Sequence, residues 1–228
     1  MNFEQFSKNA KISIEEICRE IFRQNRDLIQ IKKEEVAVKN MVKIFNATLK
    51  LSHQKGFQAM TLRDLCRESG LSMGGLYAYI PSKEALLSIM HIQGSHIALE
   101  LLRRDLLKVT SPREKLHITI KSHLFLSQEM SYWFYFLFME TKNLSKELQK
   151  RSIEGEQLTE KLFIDLLEEG ARKKIFSISN AELTAAAIKA LMQDWYLKPW
   201  KYSRRGVSVE EYADFVIELI ESYIIPEK

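Results

Sequence analysis

At 228 residues, 46% hydrophobic and 28% charged, the chain has apolar material for one larger or two smaller domains and the composition of an ordinary globular protein. Two cysteines, Cys18 and Cys66, exclude a disulfide framework and offer no metal-ligand spacing, and no apolar run approaches the ~20 residues of a bilayer span. The net charge of +4 is uneven: fourteen Lys/Arg stand against ten Asp/Glu in residues 1–90, but twenty against twenty in residues 91–228. A modest cationic surplus confined to one part of the chain is the electrostatic footprint of a duplex-binding module. Four prolines and eight glycines among abundant Leu, Ile, Glu and Lys predict an all-α fold. The first residues are mixed polar and acidic, unlike a signal peptide. A cytoplasmic setting follows, in which both cysteines serve as small apolar residues.

Residues 1–31 read as a helical extension. Ser13 and Glu16 form a capping box, and Ile14, Ile17, Cys18, Ile21 and Phe22 keep helical spacing after it. Arg19, Arg23, Arg26, Lys32 and Lys33 make the far side basic, which suits either added phosphate contacts or the solvated face of a helix that only packs. A longer helix follows from about Lys33 to Lys55, with Val38, Met41, Val42, Phe45 and Leu49 on one face and Gly56 at its end. Thr61 with Asp64 then caps a short helix whose stripe is Leu62, Leu65 and Cys66, and Gly70 stops it. Ser72 caps a second short helix carrying Leu76 and Ile80, Pro81 ends it, and Ser82 caps a third. Helix, glycine turn, helix is the helix-turn-helix plan, whose second helix lies in a DNA major groove. That second helix holds Gly74 and Gly75, each costing about 1 kcal/mol against alanine, so it is built for close approach rather than for packing alone. Tyr77 and Tyr79 are phosphate donors and Lys83 a point charge beyond the helix. The alternative is a small helical hairpin with half-buried packing tyrosines.

Gly56-Phe57, Thr61-Leu62-Arg63-Asp64-Leu65, Ser69-Gly70-Leu71-Ser72 and Leu76-Tyr77-Ala78-Tyr79-Ile80-Pro81-Ser82-Lys83 resemble the DNA-binding domain of TetR/AcrR-family transcriptional regulators, from near Val36 to Leu87. The resemblance implies three parts: the extension (1–31), the helix-turn-helix domain (32–87), and a ligand-binding and dimerisation domain (88–228). It places Lys39 and Lys43 near the phosphate backbone. The full DNA-binding set becomes Lys39, Lys43, Thr61, Arg63, Ser72, Met73, Gly74, Gly75, Tyr77, Tyr79 and Lys83. Two departures stand out. The family has phenylalanine where Ile80 stands, and often a bulkier or basic residue near Gly74-Gly75, so direct base readout here rests on few side chains.

From Ser82 a long helix carries Leu86, Met90, Ile97 and Leu101 on one side and reaches about Val109; in the family this helix connects the two domains. His91 and His96 on it read as surface or core residues. A helix from Pro112 to Glu129 precedes Ser131–Thr141, where Tyr132 to Phe138 are uniformly apolar or aromatic. An all-round apolar helix must be enclosed, either as core or as the wall of an apolar ligand cavity. The ligand-binding candidates are His123, Tyr132, Trp133, Tyr135, Phe138, Met192 and Trp195, with Glu129 and Glu140 as further polar groups. An amphipathic helix spans Lys142 to Lys174, and Asn180 caps the next, whose Ala181–Met192 surface is small and apolar. The last helix starts near Ser208 and carries Tyr212, Phe215, Val216, Leu219 and Ile220. In the family these two late helices form a four-helix bundle with a second copy, and a two-fold dimer matches a palindromic operator. The stretch Asp194–Arg205 looks like that of family members controlling fatty-acid or acyl-CoA metabolism. By that resemblance Lys198, Lys201, Arg204 and Arg205 hold a CoA phosphate while Trp195 and Trp200 stack an adenine; the alternative is a charged loop anchored by two packing tryptophans.

No Gly-rich phosphate loop, HExxH or nucleophile elbow occurs, so the chain reads as a non-enzyme with no cofactor and no metal. The expectation is a homodimeric repressor of a double-stranded DNA operator, modulated by an apolar or acyl-CoA-like small molecule and away from membranes. Repression comes from the resemblance alone. A ligand-independent architectural DNA-binding protein, and a hydrolase assembled from distant residues, are the alternatives.

Overall fold

The computed structural model describes residues 2–10, 13–24, 26, 29–106 and 109–225, apart from the side chains of residues 9, 10, 95, 97, 98, 101 and 105. Every element among them is a helix, as the composition predicts: α1 (Phe3–Ala10), α2 (Ile14–Gln24), α3 (Glu34–Lys55), α4 (Leu62–Ser69), α5 (Met73–Tyr77), α6 (Lys83–Leu106), α7 (Pro112–Glu129), α8 (Ser131–Glu140), a 3-10 turn (Thr141–Asn143), α9 (Lys146–Arg172), α10 (Ala181–Leu197), α11 (Pro199–Ser203) and α12 (Val209–Ile224). No described helix is long and apolar enough to cross a membrane. Ile97 and Leu101 of the expected α6 stripe lie outside the described side chains.

Two compact units result. One, here the helix-turn-helix unit, comprises Lys11–Ile97 and Tyr132–Ser152; the other, the carboxy-terminal unit, comprises Met1–Ala10, Ala98–Ser131 and Ile153–Lys228. Packing rather than chain order groups α1 with the carboxy-terminal helices and α8 with the helix-turn-helix.

In the helix-turn-helix unit, the α2 stripe Ile17, Cys18, Ile21 and Phe22 is buried against α3, which buries Val38, Met41, Ile44 and Phe45. Four such side chains removed from water contribute roughly 1.5–3 kcal/mol each before conformational entropy is subtracted. Across this seam Arg19 and Arg23 both reach Glu34, at 3.2 and 3.4 Å. Their guanidiniums therefore fasten the extension to α3, while Arg26, Lys32 and Lys33 stand exposed. Gly56 ends α3 at φ 81°, a backbone conformation that a β-carbon opposes. Beyond α6, α8 closes the unit. Trp133 meets Phe45 edge-on at 5.6 Å and Phe136 meets Phe57 at 5.7 Å.

The carboxy-terminal unit is organised on α7. It buries Leu116, Ile120, Leu124 and Phe125 together with Thr119, Ser122, His123 and Ser127. Hydroxyls survive there because Thr119 donates to the Lys115 carbonyl at 2.7 Å and Ser127 to the Leu124 carbonyl at 2.8 Å. Around α7 pack α1, α10 and α12. Phe3 and Phe6 of α1 both meet Phe125 edge-on, at 5.6 and 5.7 Å. Glu221 of α12 joins Arg113 and His117 of α7, which hold its carboxyl below the usual range, Arg113 most strongly. The enclosed helix is thus α7. The aromatic α8, expected to be buried all round, hides Trp133, Phe136 and Glu140 while Tyr132 and Phe138 are 57% and 47% exposed.

Candidate nucleic-acid interface

The helix-turn-helix is fixed by local hydrogen bonds written into its sequence. Thr61 caps α4 reciprocally: the Asp64 N–H donates to Thr61 Oγ1 at 3.1 Å, and the Thr61 N–H donates to Asp64 Oδ2 at 3.0 Å. Lys55, then the Thr61 backbone and hydroxyl, hold the Asp64 carboxyl well below the ordinary carboxylate range, so the cap stays ionised and accepting. Gly70 takes the left-handed conformation (φ 71°, ψ 20°) and turns the chain, and the Leu71 N–H closes the turn on the Cys66 carbonyl at 3.2 Å. Ser72 then caps α5 through the Gly75 N–H at 3.1 Å. Only Leu76 of α5 is buried. Met73, half-buried, has its sulfur 4.0 Å from Cys66 Sγ, and Gly74 and Tyr77 face outward.

Of the eleven residues proposed for DNA, the structure leaves Lys39, Lys43, Arg63, Gly74 and Tyr77 exposed. Lys39 and Lys43 lie one turn apart on α3. Thr61 and Ser72 are exposed caps, and Met73 and Gly75 are half-buried. Two of the set are engaged inside the unit instead. Tyr79 is 5% exposed and its hydroxyl accepts from Asn40 Nδ2 at 2.9 Å. Lys83 Nζ donates to the carbonyls of Phe57, Gln58 and Met60 at 3.1, 3.0 and 3.1 Å, and lies 5.0 Å from the Phe57 ring centroid. All three ammonium protons are committed to the loop after α3, so in this conformation Lys83 is a clamp rather than a phosphate ligand.

Known proteins carry the same plan. Residues 44–89 match the family described as bacterial regulatory proteins, tetR family, and residues 109–223 match the tetracyclin repressor-like carboxy-terminal domain. The chain belongs to the TetR family. It is 26% identical to the HTH-type transcriptional regulator BetI of Agrobacterium fabrum over 178 residues, covering 67% of this chain and 84% of that protein. A tetR-family regulatory protein from Rhodococcus RHA1 superposes with a TM-score of 0.74 at 22% identity, covering 83% of this chain and 99% of the other. AibR, solved in complex with isovaleryl coenzyme A and operator DNA, superposes at 0.70 with 15% identity, covering 83% and 100%. As a TetR-family member the chain is a helix-turn-helix, DNA-binding transcriptional regulator of a non-enzymatic family.

The ligand candidates of this TetR-family chain divide between its units. Tyr132, Trp133, Tyr135 and Phe138 belong to the helix-turn-helix unit, and His123, Met192 and Trp195 to the carboxy-terminal one. Glu140, read as a pocket group, instead accepts from the Phe57 N–H at 3.4 Å and from Asn143. In the carboxy-terminal unit His123 is buried, and burial first, then the Lys189 charge, drives its pKa down to about 3. Lys189 was not singled out from the sequence. It is 5% exposed and its ammonium donates to Thr159 Oγ1 at 2.8 Å and pairs with Glu156 at 3.0 Å. A signal existed: Lys189 falls on the inward stripe Ala185, Ile188 and Met192, where a lysine is out of place.

The aromatic-basic stretch is an ordered corner. Trp195 stacks on Tyr212 at 5.1 Å and packs on Tyr202 at 4.8 Å, and its indole N–H donates to Gln128 at 3.0 Å. Lys198 and Lys201 both pair with Asp194 at 2.6 Å, and Tyr202 donates to the same carboxylate. Trp195 is therefore a packing residue, while Trp200, Arg204, Arg205 and the Asp194-paired Lys198 of the expected phosphate-and-adenine clasp stand exposed, with the Arg204 guanidinium 5.4 Å over the Trp200 ring. A cleft of about 780 Å3 opens between α10, the α11 turn and α12, with Leu191, Tyr202, Tyr212 and Phe215 in its wall.

Proposed function

We propose that this TetR-family regulator is a cytoplasmic, homodimeric repressor of a palindromic operator whose DNA affinity is set by a small apolar or acyl-CoA-like effector held in the carboxy-terminal unit. The observation that carries the reading is the doubly capped α4–α5 turn with Tyr77, Arg63, Lys39 and Lys43 left outward. Its rigidity comes from the Thr61–Asp64 and Ser72 caps and from glycine geometry, and the exposed Lys39, Lys43 and Arg63 are available to phosphates. Dimerisation is supported by apolar side chains that α10 and α12 leave uncovered: Leu183 at 69%, Phe215 at 55% and Tyr223 at 59% exposure, beside Leu219. A second copy is the partner that buries such a surface while setting two recognition helices on half-sites.

The effector reading is supported by buried His123 and Lys189 beside Met192, with half-buried Thr159 accepting from Lys189, since a few placed polar atoms in an apolar surround orient a ligand. The isovaleryl coenzyme A bound by AibR favours a thioester among the candidates. An effector that prefers one conformation shifts the population and changes operator affinity. Fluorescence anisotropy with DNA from the promoter adjoining the protein's own gene, with and without an acyl-CoA panel, tests this. Release by one chain-length class supports the whole reading. Tight binding that ignores every thioester removes the acyl-CoA part. Sequence-indifferent binding with no effector response favours an architectural protein. Phe215→Glu should turn a dimer into a monomer in sedimentation velocity, and a variant that stays dimeric refutes this face.

A further inference from the structure

The helix-turn-helix unit holds a cavity whose wall is completed by residues that precede both matched family regions. It is about 280 Å3 in volume and lies between α2, α3, the Tyr79–Pro81 turn and the start of α6. Ile21 and Ile29 come from the extension, Met41 and Phe45 from α3, and Ile80 and Ile89 from the segment after α5. Ser88 supplies a hydroxyl and, among the described residues, no charged side chain lines the wall; the Tyr79 hydroxyl is already held by Asn40. Close-packed interiors contain few voids larger than a water, and an apolar void of about 150 Å3 already takes up benzene.

A second observation points to a ligand. Gln93 is 6% exposed and donates to Gln24 Oε1 at 2.6 Å, while its own Oε1 is buried without a hydrogen-bond partner. Gln24 lies one turn from Ile21, and Gln93 one turn from Ile89. The orphan acceptor therefore stands on the seam of the same two helices, α2 and α6, that wall the cavity. Buried acceptors left unpaired are uncommon and mark a missing donor.

We propose that this cavity is a binding site for a small neutral molecule of on the order of ten non-hydrogen atoms, with an apolar body and one O–H or N–H donor. The walls set the class. A charged group would be stripped of water with nothing to pair it. A ring or branched chain supplies the contacts that the void lacks, and the donor reaches past the wall to Gln93 Oε1, one turn along α6 from Ile89. The site is independent of the effector reading, which concerns the other unit. Its floor is DNA-reading machinery: Tyr79 and Ile80 directly follow the recognition helix, and the Gln30 N–H donates to the Ala78 carbonyl at 3.1 Å, tying the extension to that helix end. Occupancy holds the carboxy-terminal end of α5 in place. Ile21 and Ile29, which close this wall, precede both matched regions.

The test uses the full chain with methyl-labelled isoleucine, titrated with 4-propylphenol and with propylbenzene. Saturable shifts of the Ile21, Ile29, Ile80 and Ile89 methyl signals are expected, with the phenol at least fivefold tighter than the hydrocarbon. Gln93→Leu should erase that preference, and Ala85→Phe, which fills the cavity, should weaken the phenol at least tenfold. Should Ala85→Phe fail to fold, Ser88→Leu fills the same space. No saturable shift at these methyls, or shifts that persist unchanged in a folded cavity-filling variant, would overturn the site. Equal affinity for both probes would overturn the role of the orphan acceptor.

Discussion

Replacing Lys83 by methionine separates a structural clamp from a phosphate contact. The side chain keeps its length and loses only the ammonium, whose three donors reach the Phe57, Gln58 and Met60 carbonyls. Hydrogen bonds from a charged donor contribute about 1.5–3 kcal/mol each. Because the three share one half-buried group, they do not add, and the expected loss is roughly 2–4 kcal/mol. For a protein of this size that lowers the melting temperature by about 5–15 °C. Urea unfolding reads the stability, and anisotropy titrations with a duplex across salt concentrations read the phosphates. The unfolding midpoint should fall while the slope of log affinity against log salt stays at the wild-type value, since that slope counts neutralised phosphates. An unchanged midpoint with a slope lowered by about one would refute the clamp and restore the DNA contact.

Two further outcomes are expected. At Gly170 an added β-carbon would lie 1.9 Å from Phe176 Cδ2, so Gly170→Ala must evict a buried ring and should cost about 1–3 kcal/mol in chemical denaturation; an unperturbed midpoint would mean the ring moves freely. Burial holds His91 neutral down to about pH 4 and His123, with Lys189 opposing its charge, down to about pH 3, against 6.5 in an unfolded chain. The unfolded state therefore binds more protons between these values, and stability present above pH 6.5 is lost as pH falls. At pH 5 the loss is on the order of 2 kcal/mol for each histidine, and His91→Leu should remove about half of the pH dependence. A wild-type stability flat from pH 7.5 to 5 would contradict the burial.

The sequence carried the helix-turn-helix almost completely because its determinants are local. Thr61 with Asp64, Gly70, Ser72 and Pro81 act within four residues of themselves, so spacing alone reveals them. What spacing does not reveal is where side chains with distant partners point. Lys83 finds carbonyls 23 to 26 positions away, and Tyr79 finds Asn40 39 positions away. Nothing in the neighbourhood of either residue distinguishes an inward donor from an outward one. The aromatic α8 misled for a related reason. Periodicity reports how apolar a helix is, but not how many neighbours are available to cover it, so Tyr132 and Phe138 remain exposed while the more polar α7 is enclosed. Of the aromatic-basic corner, composition announced the charges. It could not announce that two of them share the Asp194 carboxylate.

The two glycines of the recognition helix bear on how this regulator changes over evolutionary time. A β-carbon at Gly74 would meet nothing within 4 Å, and at Gly75 chiefly the Ser72 hydroxyl at 3.2 Å. One base change converts a glycine codon into one for arginine or serine. At position 74 such a step disturbs no packed neighbour and removes the helix penalty of glycine. Operator choice is thereby uncoupled from foldability: a duplicated copy can acquire a new base contact in a single mutation and be selected on promoter occupancy alone. In a reading helix filled with packed side chains, each new specificity would first have to survive its own destabilisation.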